Sequence, residues 1–308
     1  MTGSAAWALE ARSILVLREP HHRNLGPAMP LTTSDQRDTT TAVQQPSAGP
    51  STPREAAAVI LARDVPDGLE VLLLQRHPDS RFSPGAFAFP GGRVEPADAG
   101  TDIETRCRQL GRAEAARCLP DVEPPDRAIG FWVAALREAF EEAGVLLAYG
   151  PGANPVAAAT LRDAHAERAR CREDSAHFGR LLADLNLFLA TDRLAYWAHW
   201  ITPEERPIRY DTRFFVAAAW PDQIPEPDGL EMVAARWIAP SEALARHRAR
   251  EIVLPFPTQR ILASLSDHCD VGALLGAASG REVQPVRPRV VRDGSVERIL
   301  LPQDPGWF

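Results

Sequence analysis

Apolar positions along the chain predict a series of strands that begins near Ala56. The runs Ala57–Ala62 and Leu69–Gln75 are mostly apolar, and a turn with Pro66 and Gly68 separates them. This pattern predicts a β-hairpin of buried strands. Further strands are expected at Phe87–Phe89, Arg193–Ile201, Thr212–Trp220 and Met232–Ile238.

Other stretches space their apolar residues three or four positions apart, which is typical of helices. The clearest is Phe131–Ala143, where Gly144 provides the stop. Helices are also expected around Ile103–Leu119, twice within 157–187, from Pro240 onward and over Pro257–Leu265. The order of these elements predicts an α/β protein in which a mixed sheet lies between helical layers and carries helical insertions.

The same pattern suggests how the chain is divided. Residues 1–54 are rich in Thr, Ser, Pro and Gln and are predicted to be disordered, because they cannot bury enough apolar surface to offset their ordering entropy. A single domain is expected over 55–270, with insertions at about 99–130 and 157–187. Residues 271–308 form a C-terminal extension in this interpretation.

Composition narrows the possible functions. The 308 residues carry a formal net charge of −7, which argues against a dedicated nucleic-acid binder. No apolar run is long enough to cross a membrane. The four cysteines lack C-x-x-C spacing, so neither a zinc site nor a disulfide framework is expected, and a cytoplasmic location suits them.

Three glutamates share one face of the predicted helix Phe131–Ala143. At about 100° per residue, Glu141 and Glu142 fall within about 60° of Glu138. The opposite face, expected to pack on the core, carries Val133, Leu136, Phe140 and Ala143. Clustered carboxylates repel each other, and they are the ligands that Mg²⁺ and Mn²⁺ prefer. For an isolated E-x-x-E-E pattern, a solvated acidic face is the commoner explanation.

The wider context favours a functional explanation. Phe89-Pro90-Gly91-Gly92 precedes the helix, and Asp98 lies between this glycine pair and the helix. Together these segments resemble the Nudix box, G-x5-E-x7-R-E-U-x-E-E-x-G-U, where U is a bulky aliphatic residue. The matching positions are Gly92, Arg137, Glu138, Glu141, Glu142, Gly144 and Val145. Asp98 replaces the first Glu, Ala139 replaces a larger aliphatic residue, and about 31 residues are inserted within the box.

The long insertion and an upstream segment are similar to the peroxisomal-type CoA and acyl-CoA diphosphatases of the Nudix superfamily. Their signature reads approximately L-L-T-x-R-[SA]-x3-R-x3-G-x3-F-P-G-G. The positions that fit are Leu72, Leu73, Arg76, Arg81, Gly85, Phe89, Pro90, Gly91 and Gly92. Leu74 and His77 depart from this signature.

The resemblance implies a Nudix-type α/β/α sandwich that hydrolyses a diphosphate linkage with the help of Mg²⁺ or Mn²⁺. Its metal ligands would be Glu138, Glu141 and Glu142, and its catalytic residues would include Arg137, Glu138 and Glu141. Glu231, just before the last predicted strand, is a candidate general base or an ordinary surface residue. The candidate substrate-binding residues are Arg76, Arg81, Gly91 and Gly92.

Several alternatives remain open at this point. Arg76 and Arg81 would bind phosphate, or they would pair with Asp79 or the glutamates of the box. The substrate would be CoA or acyl-CoA, yielding 3′,5′-ADP and (acyl-)4′-phosphopantetheine, or else ADP-ribose, NADH or another nucleoside diphosphate derivative. An inactive Nudix binding module is the alternative of another class, although such modules usually lose box glutamates. A small-molecule nucleotide is the expected partner, and a homodimer is possible.

Overall fold

The computed structural model describes residues 51–293 and 296–304. The predicted disordered segment lies outside these residues up to position 50. The first strand begins at Arg54, two residues before the expected start of order at Ala56.

An eight-stranded mixed sheet forms the centre of the described chain. Its strands are β1 Arg54–Val65, β2 Gly68–Arg76, β3 Phe87–Ala88, β4 Gly91–Arg93, β7 Ala195–Ile201, β8 Tyr210–Ala218, β9 Met232–Ile238 and β10 Pro285–Val286. The order is β10-β7-β8-β1-β2-β3, while β4 pairs with β1 and β9 pairs with β2. The pairs β1–β8 and β10–β7 are parallel, and the other pairs are antiparallel.

Helices cover both faces of this sheet. They are α1 Arg112–Cys118, α2 Ile129–Ala143, α3 Ala158–Glu173, α4 Ser175–Asp184, α5 Pro240–Arg248, α6 Phe256–Leu265 and α7 Val271–Ala278. Two strand pairs lie outside the main sheet: β5 Ala148–Tyr149 with β6 Phe188–Leu189, and β11 Arg289–Asp293 with β12 Val296–Leu300.

The apolar runs explain this layering. In β1, Val59 packs into the core beside α2, whereas Ile60 packs into the core beside α6. Both side chains are fully buried. A continuous apolar run is required of a strand that is covered on both faces. The α/β/α sandwich with a mixed sheet is therefore confirmed.

The predicted helix over Ile103–Leu119 is wrong in its first half. A short 3-10 turn covers Ile103–Arg106, and Cys107 then forms a bridge with Leu189. Gln109 adopts a φ of +51°, which interrupts a right-handed helix, so α1 begins only at Arg112. The sequence pattern missed the break because residues on both sides of it favour helices.

The segment after residue 270 contributes to the domain instead of leaving it. The N–H of Val271 donates to Asp64 Oδ1 at 2.8 Å, which fixes the start of α7 beside the β1–β2 hairpin. Leu274 of α7 is fully buried in the core beside α6, and β10 extends the sheet. Across 51–293 and 296–304, no helix combines the length and apolar character that crossing a bilayer requires.

Candidate active site

The helix α2 presents its acids at the end that faces β4. The helix closes at Gly144, whose φ of +67° is left-handed and whose N–H donates to the Phe140 carbonyl at 2.9 Å. Glu138, Glu141 and Glu142 occupy the last two turns, as the helical spacing predicts. The expected core side is buried, but Glu141 and Glu142 are also only 6% and 5% exposed.

Arg137 holds the acids of this helix in place. Its guanidinium makes a bidentate pair with Asp98, from Nε to Oδ1 at 2.8 Å and from Nη2 to Oδ2 at 2.9 Å. Nη1 also donates to Glu138 Oε1 at 2.8 Å and to Glu141 Oε2 at 3.0 Å. Asp98 is therefore placed against Arg137, and it orients the arginine that orients the glutamates.

The two glycines of β4 allow the strand to approach the acids closely. The N–H of Gly91 donates to Glu142 Oε2 at 2.9 Å. A Cβ on Gly91 would lie 2.6 Å from the Ala57 carbonyl oxygen of the paired strand. A Cβ on Gly92 would overlap the carboxylate of Glu138. Gly91 is required by the backbone pairing with β1, and Gly92 leaves room for the carboxylate of Glu138.

The cluster contains more acidic groups than its surroundings can stabilise in the charged form. Burial raises the pKa of Glu141 to about 8. Burial, together with the charge of Glu138, also raises the pKa of Glu142. Oε1 of Glu141 is buried and lacks a hydrogen-bond partner among the described residues. Such an oxygen is costly unless a donor or a cation satisfies it.

This donor set fits a hard divalent cation, because carboxylate oxygens in mutual repulsion are its preferred ligands. In the part of the chain that the structure describes, no three His, Cys, Asp or Glu side chains converge closely enough to hold a metal ion as they stand. Arg137 and the N–H of Gly91 occupy oxygens of the cluster instead. The assignment of Glu138, Glu141 and Glu142 as ligands therefore stays a prediction.

A cleft of about 1120 Å³ opens beside the cluster. The residues predicted from the sequence as site residues all line it: Arg76, Arg81, Gly91, Gly92, Arg137, Glu138, Glu141, Glu142 and Glu231. They come from β2, the following loop, β4, α2 and the loop before β9. The structure thus brings the predicted residues together, although their individual roles remain predictions.

One wall of the cleft is aromatic, and sequence analysis did not identify it. It consists of Phe82, Phe89, Trp200, Tyr210, Phe214 and Phe256. Trp200 and Phe256 meet edge to face with ring centroids 6.0 Å apart, and Phe82 and Tyr210 do so at 5.4 Å. Phe89, Trp200 and Phe214 also belong to the buried core, and aromatic residues in apolar strands usually indicate core packing, so no local signal marked the edges that reach the cleft.

The positions of Arg76 and Arg81 favour a role in binding. Neither guanidinium forms an ion pair with a carboxylate anywhere in residues 51–293 and 296–304. Asp79 lies 3.7 Å from His77 instead. Arg76 stands 5.9 Å from the ring centroid of Phe82, and its charge lowers the pKa of Glu142 against the larger effect of burial. Both arginines face the cleft as cations.

Glu231 reaches the same cleft from a different loop. It is exposed, and its backbone carbonyl accepts a hydrogen bond from the N–H of His77 at 2.8 Å. Its negative charge raises the pKa of both Glu138 and Glu142, although burial is the main cause in each case. The side chain therefore lies close enough to the cluster to act on it electrostatically.

A sandwich whose helix presents clustered glutamates to a glycine-lined strand and an arginine-bearing cleft defines a hydrolase of the Nudix class. The family model described as the NUDT19 Nudix domain matches residues 53–263, and the chain belongs to this family. The predictions of the family and of a hydrolase acting on diphosphate bonds are confirmed.

Similar proteins agree with this assignment. Acyl-coenzyme A diphosphatase NUDT19 of Homo sapiens is 35% identical over 312 residues, which cover 83% of this chain and 80% of the human protein. The Gallus gallus protein of the same name is 32% identical and covers 82% and 81%. The crystal structure of a NUDIX hydrolase from Alicyclobacillus acidocaldarius aligns with a TM-score of 0.60 at 28% identity, covering 76% of this chain and 99% of that chain.

Proposed function

We propose that this protein hydrolyses the diphosphate bond of CoA or acyl-CoA to give 3′,5′-ADP and (acyl-)4′-phosphopantetheine. One observation carries the proposal. The glutamates of α2, the glycine backbone of β4 and two arginines that form no ion pair with a carboxylate of the described residues line one cleft. Acids that suit a cation and arginines that suit phosphate oxygens are the two groups that hydrolysis of a diphosphate needs.

The binding of the diphosphate is assigned to the arginines and glycines. Arg76 and Arg81 supply guanidinium groups that match two phosphate oxygens at once. Gly91 and Gly92 line the same cleft, and because Gly92 has no side chain, the Glu138 carboxylate lies directly against the backbone of β4, where the diphosphate would bind. Correct placement of the scissile bond is itself a large part of catalysis in phosphoryl chemistry.

We assign the metal-binding role to Glu138, Glu141 and Glu142, and Mg²⁺ or Mn²⁺ is the expected cation. A bound divalent cation would neutralise the diphosphate and promote ionisation of the attacking water. Arg137 forms a buried ion pair with both oxygens of Asp98, and this pair orients the glutamates. Because Arg137 contacts Glu138 and Glu141 directly, we include it in the catalytic group.

Glu231 is the proposed general base. Glu231 lines the cleft and is exposed, so water can reach its carboxylate. A base must lie within reach of the proton that it removes, and a place in the lining of the same cleft as the glutamates of α2 supports this assignment. A box glutamate is the second candidate, supported by the pKa of Glu141 at about 8.

The choice of CoA over ADP-ribose rests on two supporting observations. The relatives at 35% and 32% identity carry the name acyl-coenzyme A diphosphatase. The aromatic wall also gives the cleft an apolar surface of the kind that a pantetheine or acyl chain would contact. ADP-ribose and NADH lack such a chain and remain the alternative substrates.

The expected setting is that of a cytoplasmic enzyme with a small nucleotide-type substrate. Cys107, Cys118, Cys171 and Cys269 are free thiols, which suits a reducing compartment. The net charge of −7 supports the expectation that nucleic acid is not a partner. A homodimer stays a prediction, which sedimentation of the purified protein would test.

The substrate assignment is tested with purified protein and Mg²⁺ or Mn²⁺ against CoA, acetyl-CoA, ADP-ribose and NADH. The highest kcat/KM is expected for CoA or acetyl-CoA, with 3′,5′-ADP as a product. Equal or better turnover of ADP-ribose would remove the CoA assignment while leaving the diphosphatase assignment intact.

A further inference from the structure

We propose that Arg172 and Asp228 are positioning residues that fix the carboxylate of Glu231 opposite the glutamates of α2. The inference rests on the proposed function, in which Glu231 accepts a proton from the attacking water. Arg172 lies near the end of α3, and Asp228 lies in the loop that leads into β9. Both residues line the cleft, yet neither belongs to the motifs that predicted the site.

The carboxylate of Asp228 organises the turn that carries Glu231. Its side chain is only 1% exposed. Oδ1 accepts hydrogen bonds from the N–H groups of Leu230, Glu231 and Met232 at 3.2, 3.1 and 2.8 Å. Gly229 permits the turn with a φ of +74°. Because three successive amides bond to one carboxylate, the backbone that carries the Glu231 side chain is held in one conformation.

The same loop is bonded to the carboxyl end of α2. The N–H of Asp228 donates to the Glu142 carbonyl at 3.1 Å. The N–H of Glu226 donates to the Ala143 carbonyl at 2.8 Å. These bonds satisfy carbonyls that a helix end leaves without partners. They also fix the position of the loop that carries Glu231 relative to the turns of α2 that carry the acids.

Arg172 connects this turn to α3. Its Nη1 lies 3.0 Å from Asp228 Oδ2. The preceding turns of α3 are themselves bonded to the end of α2, because Arg168 Nε donates to the Glu141 carbonyl at 3.0 Å. His165 Nε2 lies 2.9 Å from the Gly144 carbonyl. The helix α3 therefore forms hydrogen bonds with both the end of α2 and the loop that carries Glu231.

Asp228 is buried and Arg172 is partly exposed, so Arg172 can hold Asp228 in place from the surface of the cleft. A buried carboxylate needs a compensating cation, and Asp228 obtains it from Arg172. The side chain of Arg172 is 24% exposed, so its removal loosens the turn without opening the hydrophobic core. A direct contact between Arg172 and the substrate is the competing explanation, and kinetics can separate the two.

The test compares Arg172→Met with Arg172→Lys and with a matched control on the same helix. The control is Arg170→Met, which removes an exposed ion pair to Glu167. With CoA and Mg²⁺, Arg172→Met is expected to lower kcat about tenfold at nearly constant KM, because the base is displaced while substrate binding is retained. Arg172→Lys should recover part of the loss, and Arg170→Met should match the wild type.

A double mutant distinguishes action through Glu231 from a direct role. If Arg172 acts through Glu231, Arg172→Met has little further effect on kcat in a Glu231→Gln background. Losses that multiply in the double mutant overturn the proposal. A rise in KM at unchanged kcat also overturns it, because that result places Arg172 on the substrate.

Amide hydrogen exchange supplies a measurement that does not depend on turnover. The amides of Leu230, Glu231 and Met232 are expected to exchange about tenfold faster in Arg172→Met, with α2 unaffected. Unchanged protection of these amides overturns the proposal. If the wild type failed to hydrolyse CoA, the proposed function would be contradicted, while the exchange data would still decide whether Arg172 holds the turn.

Discussion

Arg137 in α2 and Arg213 in β8 are both buried, and a comparison of their surroundings shows what separates an active site from a structural brace. Their side chains are 3% and 2% exposed. Arg137 contacts Asp98 and two glutamates, whereas Arg213 contacts Asp211 at 3.0 Å and Asp121 at 2.5 Å. A buried guanidinium is tolerated in each place because carboxylates compensate it.

The two clusters differ in charge balance and in access. Arg137 contacts three acids, Asp98, Glu138 and Glu141, and its cluster opens on the cleft, whereas Arg213 contacts two acids. At Arg213, His199 also contacts Asp211, and the guanidinium lies 4.3 Å from the ring centroid of Phe131. That cluster ties Asp121 of the first insertion to the sheet. An excess of acidic groups over cations beside a cavity, and not burial alone, marks the candidate catalytic site.

The largest expected effects come from removing each arginine. Arg137→Met leaves the buried carboxylates of Asp98 and Glu141 without a cation, and it is expected to lower the free energy of unfolding by about 3–5 kcal/mol. Arg213→Met removes the partner of Asp211 and Asp121, which solvent reaches, so its expected cost is smaller, about 1–3 kcal/mol. Urea denaturation measures this loss, provided that variant and wild type show the same dependence of the unfolding free energy on urea concentration. Only Arg137→Met should also abolish hydrolysis by the folded fraction, because only Arg137 orients the glutamates.

The Arg213 variant is the control for activity in that pair. Its folded fraction, assayed well below the urea midpoint, should keep kcat within about threefold of the wild type. A loss of activity as large as that of Arg137→Met would show that the brace belongs to the catalytic machinery, and the comparison would fail.

A second prediction changes charge without changing shape. Glu138→Gln is expected to lower kcat about 100-fold, because the amide keeps the volume of the side chain and loses the charge that attracts a cation. Its unfolding free energy should stay the same or rise slightly, since repulsion among the acids is relieved. Steady-state kinetics over a range of Mg²⁺ concentrations measures the effect.

Glu114→Gln serves as the matched control, because Glu114 is an exposed acid paired with Arg117 on α1. It should leave kcat unchanged. Equal rates for Glu138→Gln and the wild type at saturating Mg²⁺ would refute the assignment of Glu138.

A third prediction uses the neighbouring glycines of β4. A Cβ at Gly91 meets backbone of β1 that cannot move, so Gly91→Ala is expected to destabilise the fold by about 1–3 kcal/mol. A Cβ at Gly92 meets only the end of the Glu138 side chain. Gly92→Ala should therefore fold normally and lose about tenfold in kcat through displacement of Glu138. Thermal unfolding and steady-state kinetics on both variants measure these effects. A stable Gly91→Ala variant, or a Gly92→Ala variant with the kcat of the wild type, would contradict this account.

The contrast also shows which parts of the site were predictable from sequence. Arg137 and the glutamates lie on one helix, where periodicity relates their side chains, and Arg137 does pair with Glu141 four residues later. Asp121 and Arg213 are 92 residues apart, and no local pattern connects them. The same limit hid the Arg172–Asp228 pair, whose members are 56 residues apart.

The fold follows a similar division. The strands β1 and β2 were predictable because continuous apolar runs indicate strands buried on both faces. The strand β4 was missed because Gly91 and Gly92 have no side chains with which to show an alternating pattern. Trp200 and Phe214 of the aromatic wall are buried core residues whose edges reach the cleft, and such an edge was not predictable because it depends on packing between distant elements.

The smallest expected effect is a pH response of opposite sign at the two clusters. Burial raises the pKa of Glu141 to about 8, so its ionisation costs stability as the pH rises toward that value. At Asp211, burial opposes ionisation, but the hydrogen bond with His199 and the charge of Arg213 outweigh it and lower the pKa. The stabilising contribution of Asp211 is therefore complete above its unfolded pKa of about 3.9 and is lost as the pH falls through the lower folded value.

Urea unfolding of Asp211→Asn and Glu141→Gln beside the wild type, without divalent cations, measures both responses. The deficit of Asp211→Asn should be constant from about pH 7 to 5 and should shrink below about pH 4, by less than about 1 kcal/mol because solvent partly screens the pair. Glu141→Gln should instead exceed the wild type in stability near pH 8 and lose that advantage by about pH 5. If both variants changed in the same direction, charge balance would not distinguish the two arginine clusters, and the excess of acidic groups beside the cleft would lose its value as a sign of function.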